Sequence, residues 1–383
     1  MLLSNKKLLV LTPYYPSDEN PFEGVFIEQQ ILGLKESYAR IVVFKMFSLP
    51  FPFKNKFYSA IRNNKSSYYR NSIKVVNFFY FDNKVLNVIL GGRLRSLKIQ
   101  LQINYYLRRL YRYNFNVKLS QWVLPTTYVF SFLNSKESKL VSVIRGMDIT
   151  ILKDQFPFEF NAAIGYSNHV VSNGNYVKEL VFCKTETIYN IKDLAPFLDV
   201  EIKANLINQS EIVITHVGRF DNNKRQDLLV DLLSYLRDLG KNVHLNLIGD
   251  GALLEEVKKY AKQKNVFEFV NFTGNIKHVE MAVIFAKSDF YIHPSHREGI
   301  PNSLVEAMAS GCVCIARNIG GIPDLINQEN GFIFNKDEEL FSLVTSVLQL
   351  ETFFEIRQNA RKHICEIFNN DKNKHLLMSL LDI

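Results

Sequence analysis

The chain has 383 residues, of which 47% are hydrophobic and 22% are charged. This length is too great for one ordinary core and predicts two domains. No apolar run reaches the about 18 residues that a membrane-spanning helix needs, which disfavours an integral membrane protein. The four cysteines lack the spacing of a metal site, and two of them alternate within CVCIA as small core residues do, so a reducing cytoplasm is expected.

The net charge of +8 is unevenly distributed along the chain. Residues 1–195 carry 26 lysines and arginines against 13 acidic residues, whereas the remainder carries 20 against 25. The two halves are therefore expected to have different partners.

The first half begins with a short apolar strand, KKLLVLT, without the basic start and cleavage site of a signal peptide. A loop, a helical stretch (IEQQILGLKES) and a second strand (RIVVFKMF) follow. This order is typical of a parallel sheet. Further strands are predicted at KLVSVI, AAIGYS, HVVSNG and TETIYN, between residues 139 and 190.

From residue 211 onward, strands and helices alternate regularly. The predicted strands are EIVITHVG, VHLNLIG, FEFVNFTG, DFYIHPS and CVCIARN, and the predicted helices between them are RQDLLVDLLSYLRDLG, ALLEEVKKYAKQ, HVEMAVIFAKS and SLVEAMASG. Residues 192–210 lack a periodic pattern and are interpreted as a hinge. The whole order predicts an α/β fold of two doubly wound, Rossmann-like domains facing a central cleft, with ligands beyond the carboxyl ends of the strands.

Two acidic residues stand eight positions apart in HREGIPNSLVEAMASGC. Because a residue before proline avoids helical backbone angles, the helix is predicted to start after Ile300. Glu298 then lies in the preceding loop and Glu306 in the first helical turn. The N–H groups of residues 301–304 would open the helix as an anion site. The pattern from Ser303 to Glu306 is equally that of a capping box, which would explain both residues without a ligand.

Residues 293–334, HPSHREGIPNSLVEAMASGCVCIARNIGGIPDLINQENGFIF, resemble the donor-site signature of retaining glycosyltransferases of family 4, which have the GT-B fold. The E-x7-E motif of that family falls on Glu298 and Glu306. The resemblance implies that Glu298 contacts the hydroxyls of the donor sugar and that Glu306 holds the ribose of the nucleotide. The donor site would also include the residues between them: Gly299, Ile300, Pro301, Asn302, Ser303 and Leu304. The resemblance covers the second domain in order and the first domain patchily.

A second segment, VGRFDNNKRQDLL, places Arg219 and Lys224 after a predicted strand. Such a pair is ordinarily a solvated basic loop. The resemblance implies instead that Gly218, Arg219 and Lys224 lie at the donor diphosphate, where the two cations would stabilise the departing nucleoside diphosphate. Opposite charges about 4 Å apart attract by about 4 kcal/mol at an effective dielectric constant near 20. No Asp-x-Asp motif follows a predicted strand, so neither a metal nor another cofactor is expected.

Two further parts of the donor site rest on the resemblance. The backbone around Asn275 and Ile276 would face the nucleobase. Gly24, in the loop YYPSDENPFEGVFIEQQ, would let the backbone approach the diphosphate, although a glycine suits an ordinary turn equally well.

The segment Arg145-Gly146-Met147-Asp148 departs from the family pattern. Many members of the family have His-Gly-x-Asp here, with the histidine close to the reacting sugar. Arginine stays protonated in proteins and cannot act as a base. In the front-face mechanism proposed for the family, the leaving phosphate oxygen takes the proton of the acceptor. Arg145 would then orient the acceptor, with Asp148 on the same side, or add positive charge near the diphosphate.

Residues 50–115 contain 15 phenylalanines and tyrosines and 13 basic residues, but one acidic residue. Aromatic and basic side chains together favour an anionic membrane surface. We expect this segment to bind the inner leaflet and reach a lipid-linked acceptor. An ordinary solvated basic face remains the alternative, and nucleic acid is not an expected partner.

The sequence therefore predicts a cytoplasmic, retaining hexosyl- or N-acetylhexosaminyltransferase, peripheral on the inner membrane face. It would move a sugar from a nucleotide sugar, UDP-linked by preference, to a glycan or lipid-linked acceptor in cell-surface polysaccharide biosynthesis. Residues 1–192 and 366–383 are predicted to bind the acceptor, and residues 193–365 the donor. The alternatives are a non-catalytic, glycosyltransferase-like partner subunit and a nucleotide-sugar epimerase on the same fold. The sugar, the linkage and the oligomeric state are left open.

Overall fold

The computed structural model describes residues 5–21, 23–50, 67–82, 115–128, 138–146, 148–178, 180–181, 183, 185–202, 211–350 and 353–382. The chain divides into two compact units. The first unit comprises Met1–Lys192 together with Asn370–Ile383, and the second comprises Asp193–Asn369. The return of the chain to the first domain was predicted at residue 366, whereas the division in the structure falls at residue 370.

The first unit contains an eight-stranded sheet in the order β3-β4-β2-β1-β5-β6-β7-β8. Its strands are β1 (Lys7–Thr12), β2 (Arg40–Pro50), β3 (Ser67–Arg70), β4 (Ile73–Asp82), β5 (Val117–Gln121), β6 (Lys139–Ile144), β7 (His169–Ser172) and β8 (Thr185–Thr187). Neighbouring strands are parallel except for β3 and β4, which are antiparallel. The parallel sheet predicted from the strand, helix, strand order is confirmed.

The helices of the first unit are α1 (Val25–Leu34), α2 (Pro157–Gly165) and a C-terminal helix (Asn370–Asp382), with shorter helical turns at Lys35–Ser37, Val123–Thr127, Asp148–Leu152, Lys153–Gln155 and Asn175–Val177. The strand predicted at AAIGYS is wrong, because most of this segment is the end of α2. Pro157 favours the first turn of a helix, and the helix buries Phe160 and Ala163, which are three positions apart on one helical face.

The C-terminal helix contributes to the core of the first unit. Its buried residues Leu377, Leu380 and Leu381 pack in one cluster with side chains of β1, β2, β5, β6 and α1. Burying each leucine contributes about 2 kcal/mol. The C-terminal helix and β1 therefore share one hydrophobic core.

The second unit contains a six-stranded sheet in the order β11-β10-β9-β12-β13-β14, in which all neighbouring strands are parallel. Its strands are β9 (Ile212–Val217), β10 (Val243–Ile248), β11 (Val270–Gly274), β12 (Phe290–His293), β13 (Val313–Arg317) and β14 (Phe332–Phe334). The predicted alternation of strands and helices is confirmed from β9 to β13. Both units thus have the predicted α/β, Rossmann-like architecture.

The helices of the second unit are α3 (Ala195–Leu198), α4 (Gln226–Asp238), α5 (Leu254–Gln263), α6 (His278–Lys287), α7 (Asn302–Ala309), α8 (Ile322–Leu325), α9 (Asp337–Val347) and α10 (Phe354–Ile367), with a short turn at Phe267–Phe269. The C-terminal helix of the first unit, Asn370–Asp382, is accordingly α11. Cys312 and Cys314 are fully buried on and beside β13, which confirms that they are core residues.

The segment interpreted as a hinge lies partly within the second unit. Phe197, on α3, is fully buried and contacts the rings of His278 and Phe285 on α6. Residues 203–210 of the same segment lie outside the described residues.

The segment predicted to bind a membrane, residues 50–115, lies outside the described residues except at Pro50, residues 67–82 and Phe115. In the described part of the chain, no helix combines the length and the apolar character needed to cross a bilayer.

Candidate active site

The candidate site lies at the carboxyl edge of the second sheet, where β9 and β12 end side by side. The loop after β9 carries Lys224, and the loop after β12 carries Glu298. Because parallel neighbouring strands deliver their following loops to the same edge, residues 74 positions apart in the chain come into contact. Lys224 Nζ donates to Glu298 Oε1 at 2.5 Å.

Glu298 is held through one carboxylate oxygen. Its Oε1 accepts hydrogen bonds from Lys224 and from His293 Nε2, which lies 2.9 Å away. The Glu298 side chain is 12% exposed. Burial alone would raise the pKa of Glu298, but His293 and Lys224 outweigh it and hold the pKa far below its ordinary value. Glu298 is therefore a carboxylate at neutral pH.

Behind Glu298 lies a buried polar row at the end of β12. The Tyr291 hydroxyl is 3.0 Å from His293 Nδ1 and 2.7 Å from Ser303 Oγ, and Ser295 Oγ is 3.1 Å from His293 Nε2. Burial lowers the pKa of His293, which favours the neutral ring. A carboxylate only accepts hydrogen bonds, so the proton of that ring lies on Nε2, facing Glu298.

The start of α7 corrects two predictions. Pro301 is the N-cap residue in an extended conformation, and the helix begins at Asn302. Ser303 is therefore the second helical residue and its hydroxyl lies against Tyr291, so the capping-box interpretation is wrong. Glu306 is buried and is the fifth residue of the helix, so it lies outside the first turn in which it was predicted.

The predicted anion site at this helix also has fewer N–H donors than expected. Pro301 has no N–H group, so it cannot be one of the donors assigned to residues 301–304. The N–H groups of Ser303 and Leu304 lie in the first turn, where a helix provides no i−4 partner. Of the other residues predicted here, Ile300 and Leu304 have buried side chains, and the Gly299 carbonyl accepts from the Gly321 N–H at 2.9 Å.

The two cations of the predicted basic loop differ in burial. Lys224 is largely buried, whereas the Arg219 side chain is 78% exposed and donates from Nε to Asp221 at 3.1 Å. A Cβ at Gly218 would lie 3.2 Å from Lys224 Cδ, so glycine leaves room for the lysine stem. The structure therefore brings Lys224 and Glu298 together, and it leaves Arg219 outside this pair.

Hydrogen bonds to backbone carbonyls join the two loops. The His296 N–H donates to the Asn223 carbonyl at 2.9 Å, and Asn223 Nδ2 donates to the Arg297 carbonyl at 3.0 Å. Gly320, in the loop after β13, has a φ of 51°, and a Cβ there would lie 2.0 Å from the Glu298 carbonyl oxygen. The position of Glu298 is thus determined by three loops of the second unit.

A charged cluster lies beneath the same loops. Asp337, at the start of α9, accepts from Arg317 and, at 2.7 Å, from Arg225. Arg317 also donates from Nε to the Pro294 carbonyl at 3.1 Å, and Arg225 lies 3.0 Å from His296 Nε2. These contacts connect the start of the Glu298 loop to β13 and α9.

The other predicted donor residues belong to other structural elements. Asn275 and Ile276 follow β11, the edge strand, with Asn275 exposed and Ile276 half-buried. Gly24 lies in the first unit as the N-cap of α1, with a φ of 73°, and a Cβ there would lie 2.8 Å from the Tyr14 carbonyl group. Backbone packing by itself explains this glycine, and its contact with the diphosphate stays a prediction.

Arg145 follows β6 in the first unit and is 4% exposed. Its guanidinium donates to Gln121 Oε1 and to Asn190 Oδ1, and it lies over the rings of Phe26 and Trp122. Burial lowers the pKa of Arg145 to about 10, so the group is cationic at neutral pH. Each of its three nitrogens donates to a protein partner, and its predicted contact with the acceptor stays a prediction.

Asp148 is fully buried beside Arg145. Its carboxylate accepts from the backbone N–H groups of Val123, Leu124 and Arg145 at 3.0 to 3.1 Å. These hydrogen bonds connect the turn after β6 to the turn after β5. The structure thus gives Asp148 a role in shaping the first unit, and its place on the acceptor side stays a prediction.

Several residues that position the site were not predicted from the sequence. His293 and Tyr291 belong to a strand whose pattern indicates only burial, and the partners of Asp337 and Gly320 are distant in sequence. The described residues contain no cluster of three or more His, Cys, Asp or Glu arranged for a metal ion. The expectation of a metal-independent reaction stays a prediction.

Comparisons with known proteins agree with this architecture. Residues 199–364 match the family model described as "Glycosyl transferases group 1". The chain is 24% identical over 281 residues to N-acetyl-alpha-D-glucosaminyl L-malate synthase of Bacillus anthracis, an alignment that covers 68% of this chain and 73% of that protein.

Two solved structures show the same fold along nearly the whole chain. Sucrose-phosphate synthase from Thermosynechococcus elongatus has a TM-score of 0.73 and 15% identity, and Anabaena Alr3699/HepE in complex with UDP has a TM-score of 0.68 and 16% identity. Each comparison covers 98% of both chains. The chain is thus a glycosyltransferase with the GT-B fold, and residues 199–364 are its glycosyl transferases group 1 domain.

Proposed function

We propose that this glycosyltransferase moves a sugar from a nucleotide sugar to a hydroxyl group with retention of the anomeric configuration, as family 4 does. The observation that carries the proposal is the pair of Lys224 and Glu298 at the carboxyl edge of the second sheet. Oε1 of Glu298 is bound by the protein, and in the described part of the chain Oε2 has no hydrogen-bond partner. A free carboxylate oxygen beside a lysine suits a ligand that has both hydroxyls and a phosphate.

Each predicted donor residue has a chemical role in this proposal. Glu298 accepts hydrogen bonds from the sugar hydroxyls. Lys224 has three ammonium protons, of which one bonds Glu298, so the others serve the diphosphate. The N–H groups of Ser303 and Leu304 add to the positive potential at the start of α7. Glu306 holds the ribose.

In the proposed reaction, the bond between the anomeric carbon and the diphosphate oxygen breaks while the acceptor oxygen bonds the same face of that carbon. The acceptor proton passes to the departing phosphate oxygen, so no protein base is needed. Lys224, the exposed Arg219 and the start of α7 stabilise the charge that develops on the leaving group. We propose that they do so without a metal ion.

The UDP linkage of the donor is supported by the similarity in fold to Anabaena Alr3699/HepE, solved in complex with UDP. The similarity to an N-acetylglucosaminyl-malate synthase is in line with a hexosyl or N-acetylhexosaminyl donor. We further propose a glycan or lipid-linked acceptor of cell-surface polysaccharide, reached from the cytoplasmic face. The basic, aromatic composition of residues 50–115 supports binding to anionic membranes. Flotation with anionic and neutral liposomes at low salt tests this, and equal binding to both would reject it.

The enzymatic proposal is tested with a panel of UDP, GDP and ADP sugars, by following nucleotide release with and without EDTA. Glu298→Gln keeps the size of the side chain and removes its charge, and a hydrogen bond to a charged group is worth about 10-fold or more. We expect kcat/KM to fall by about 10- to 100-fold in Glu298→Gln and to stay unchanged in Glu256→Gln, which removes an exposed carboxylate on α5. Equal activity of wild type and Glu298→Gln would reject the proposed site. A product with inverted anomeric configuration would reject the retaining mechanism. Inhibition by EDTA would reject the metal-free reaction.

A further inference from the structure

We propose that His293 is a positioning residue that fixes the plane of the Glu298 carboxylate, so that one oxygen stays bound to the protein while the other is presented to the donor sugar. This inference rests on the proposed function, because it assumes that Glu298 binds the sugar. It adds a residue of β12 that lies behind the loop carrying the E-x7-E motif.

The contacts of Glu298 are asymmetric. Lys224 Nζ and His293 Nε2 both lie within 2.9 Å of Oε1. A lysine ammonium at the end of four methylene groups follows a rotating carboxylate easily, whereas an imidazole moves only as a rigid ring. The histidine is thus the partner that determines the orientation of the carboxylate plane.

The His293 ring is itself held in place. It is fully buried at the end of β12, its Nδ1 lies 3.0 Å from the Tyr291 hydroxyl, and its ring stacks with Tyr291 at a centroid distance of 5.9 Å. The Tyr291 hydroxyl also lies 2.7 Å from Ser303 Oγ in the first turn of α7. The chain of contacts from α7 through Tyr291 to His293 therefore fixes Glu298 relative to the helix whose N–H groups face the diphosphate in the proposed function.

A role confined to filling the core does not account for these contacts. An apolar side chain would fill the same volume without a buried polar group, which is costly unless it is hydrogen-bonded. The neighbouring His216 is equally buried, with its ring centroid 5.7 Å from that of His293, but it bonds the Ile292 carbonyl and not Glu298. His216 is therefore a matched control for the loss of a buried imidazole at this edge of the sheet.

The experiment compares His293→Leu, His293→Gln and His216→Leu with wild type, using UDP and the UDP-sugar that the panel selects. Leucine removes the donor to Glu298, whereas the glutamine amide reaches about as far as Nε2 and restores it. We expect His293→Leu to lower kcat/KM by about tenfold, the worth of one hydrogen bond to a charged group, with the Kd for UDP within twofold of wild type. His293→Gln should recover most of the loss, and His216→Leu should stay within twofold of wild type.

Each alternative outcome is distinguishable. Wild-type kcat/KM in folded His293→Leu, an equal loss in His216→Leu, or no recovery in His293→Gln would overturn the inference. A wild-type protein that binds no nucleotide sugar, or an active Glu298→Gln, would instead overturn the proposed function. Thermal unfolding identifies folded variants, and His293→Asn, whose amide stops short of Glu298, replaces His293→Leu if the latter does not fold.

Discussion

Replacing Gly320 with alanine tests whether the position of Glu298 depends on backbone contact with a third loop. A Cβ at Gly320 would lie 2.0 Å from the Glu298 carbonyl oxygen and 2.9 Å from its carbonyl carbon. Both atoms belong to the backbone, so no side-chain rotation relieves the contact. Because Cβ atoms essentially never come closer than 3.0 Å to another heavy atom, one of the two loops has to move by about 1 Å.

Gly320→Ala is expected to lower both the free energy of unfolding and the rate of the reaction. The φ of 51° at Gly320 costs an alanine about 1 to 2 kcal/mol, and the clash adds about 1 to 3 kcal/mol to the loss of unfolding free energy. If Glu298 binds the sugar as proposed, a displacement of its carboxylate by about 1 Å lowers the rate by about 100-fold, or about 3 kcal/mol in activation free energy. We therefore expect a larger effect on kcat/KM than the strain alone would produce.

Gly240, which follows α4, provides the control. Its φ of 75° is equally left-handed, but no atom lies within 4 Å of a Cβ there. Gly240→Ala should lose about 1 to 2 kcal/mol in urea unfolding and keep wild-type kcat/KM. If Gly320→Ala and Gly240→Ala have the same kcat/KM, the packing of Gly320 does not position Glu298 and the reasoning is refuted.

Two further predictions concern charges near the site. Burial and the neighbouring His293 lower the pKa of His216 to about 3. Below about pH 6.5, His216 therefore binds a proton in the unfolded chain but stays neutral in the folded protein. The free energy of unfolding therefore decreases as the pH falls, by about 2 kcal/mol at pH 5. Urea unfolding of His216→Leu should show a correspondingly smaller decrease between pH 7 and pH 5. An unchanged decrease would contradict the low pKa of His216. Asp337→Asn removes the carboxylate shared by Arg317 and Arg225 and leaves Arg225 paired with Asp227, so we expect a loss of about 1 to 3 kcal/mol in urea unfolding together with a lower kcat/KM. Glu338→Gln, which removes an exposed charge from the same helical turn, should change neither quantity.

The sequence predicts most of the second unit because its signals are local. Apolar runs alternate with amphipathic stretches, and this order requires parallel strands whose loops meet at one edge. Lys224 and Glu298 each follow a strand, so their presence at a common edge follows from pattern alone. The strand predicted at AAIGYS was wrong because a short apolar run does not distinguish a buried strand from a helix that starts at a proline.

Contacts between distant residues explain what the sequence could not predict. The Ser303 to Glu306 spacing is compatible with a capping box, but Pro301 takes the N-cap position and Tyr291 takes the Ser303 hydroxyl. The resemblance to family 4 implied that Arg145 orients the acceptor or adds charge near the diphosphate, and the fold encloses its guanidinium among Gln121, Asn190 and two aromatic rings.

By itself, then, the sequence determined two α/β units, the edge at which a donor would bind and the pair of charges at that edge. Only the tertiary structure decided that Glu298 uses one oxygen for Lys224 and His293, that Gly320 abuts its backbone, and that Arg219 stays exposed. The physical reason is that hydrophobic periodicity acts over a few residues and specifies elements. Hydrogen bonds and close contacts depend on atoms that the chain brings together only after those elements have packed.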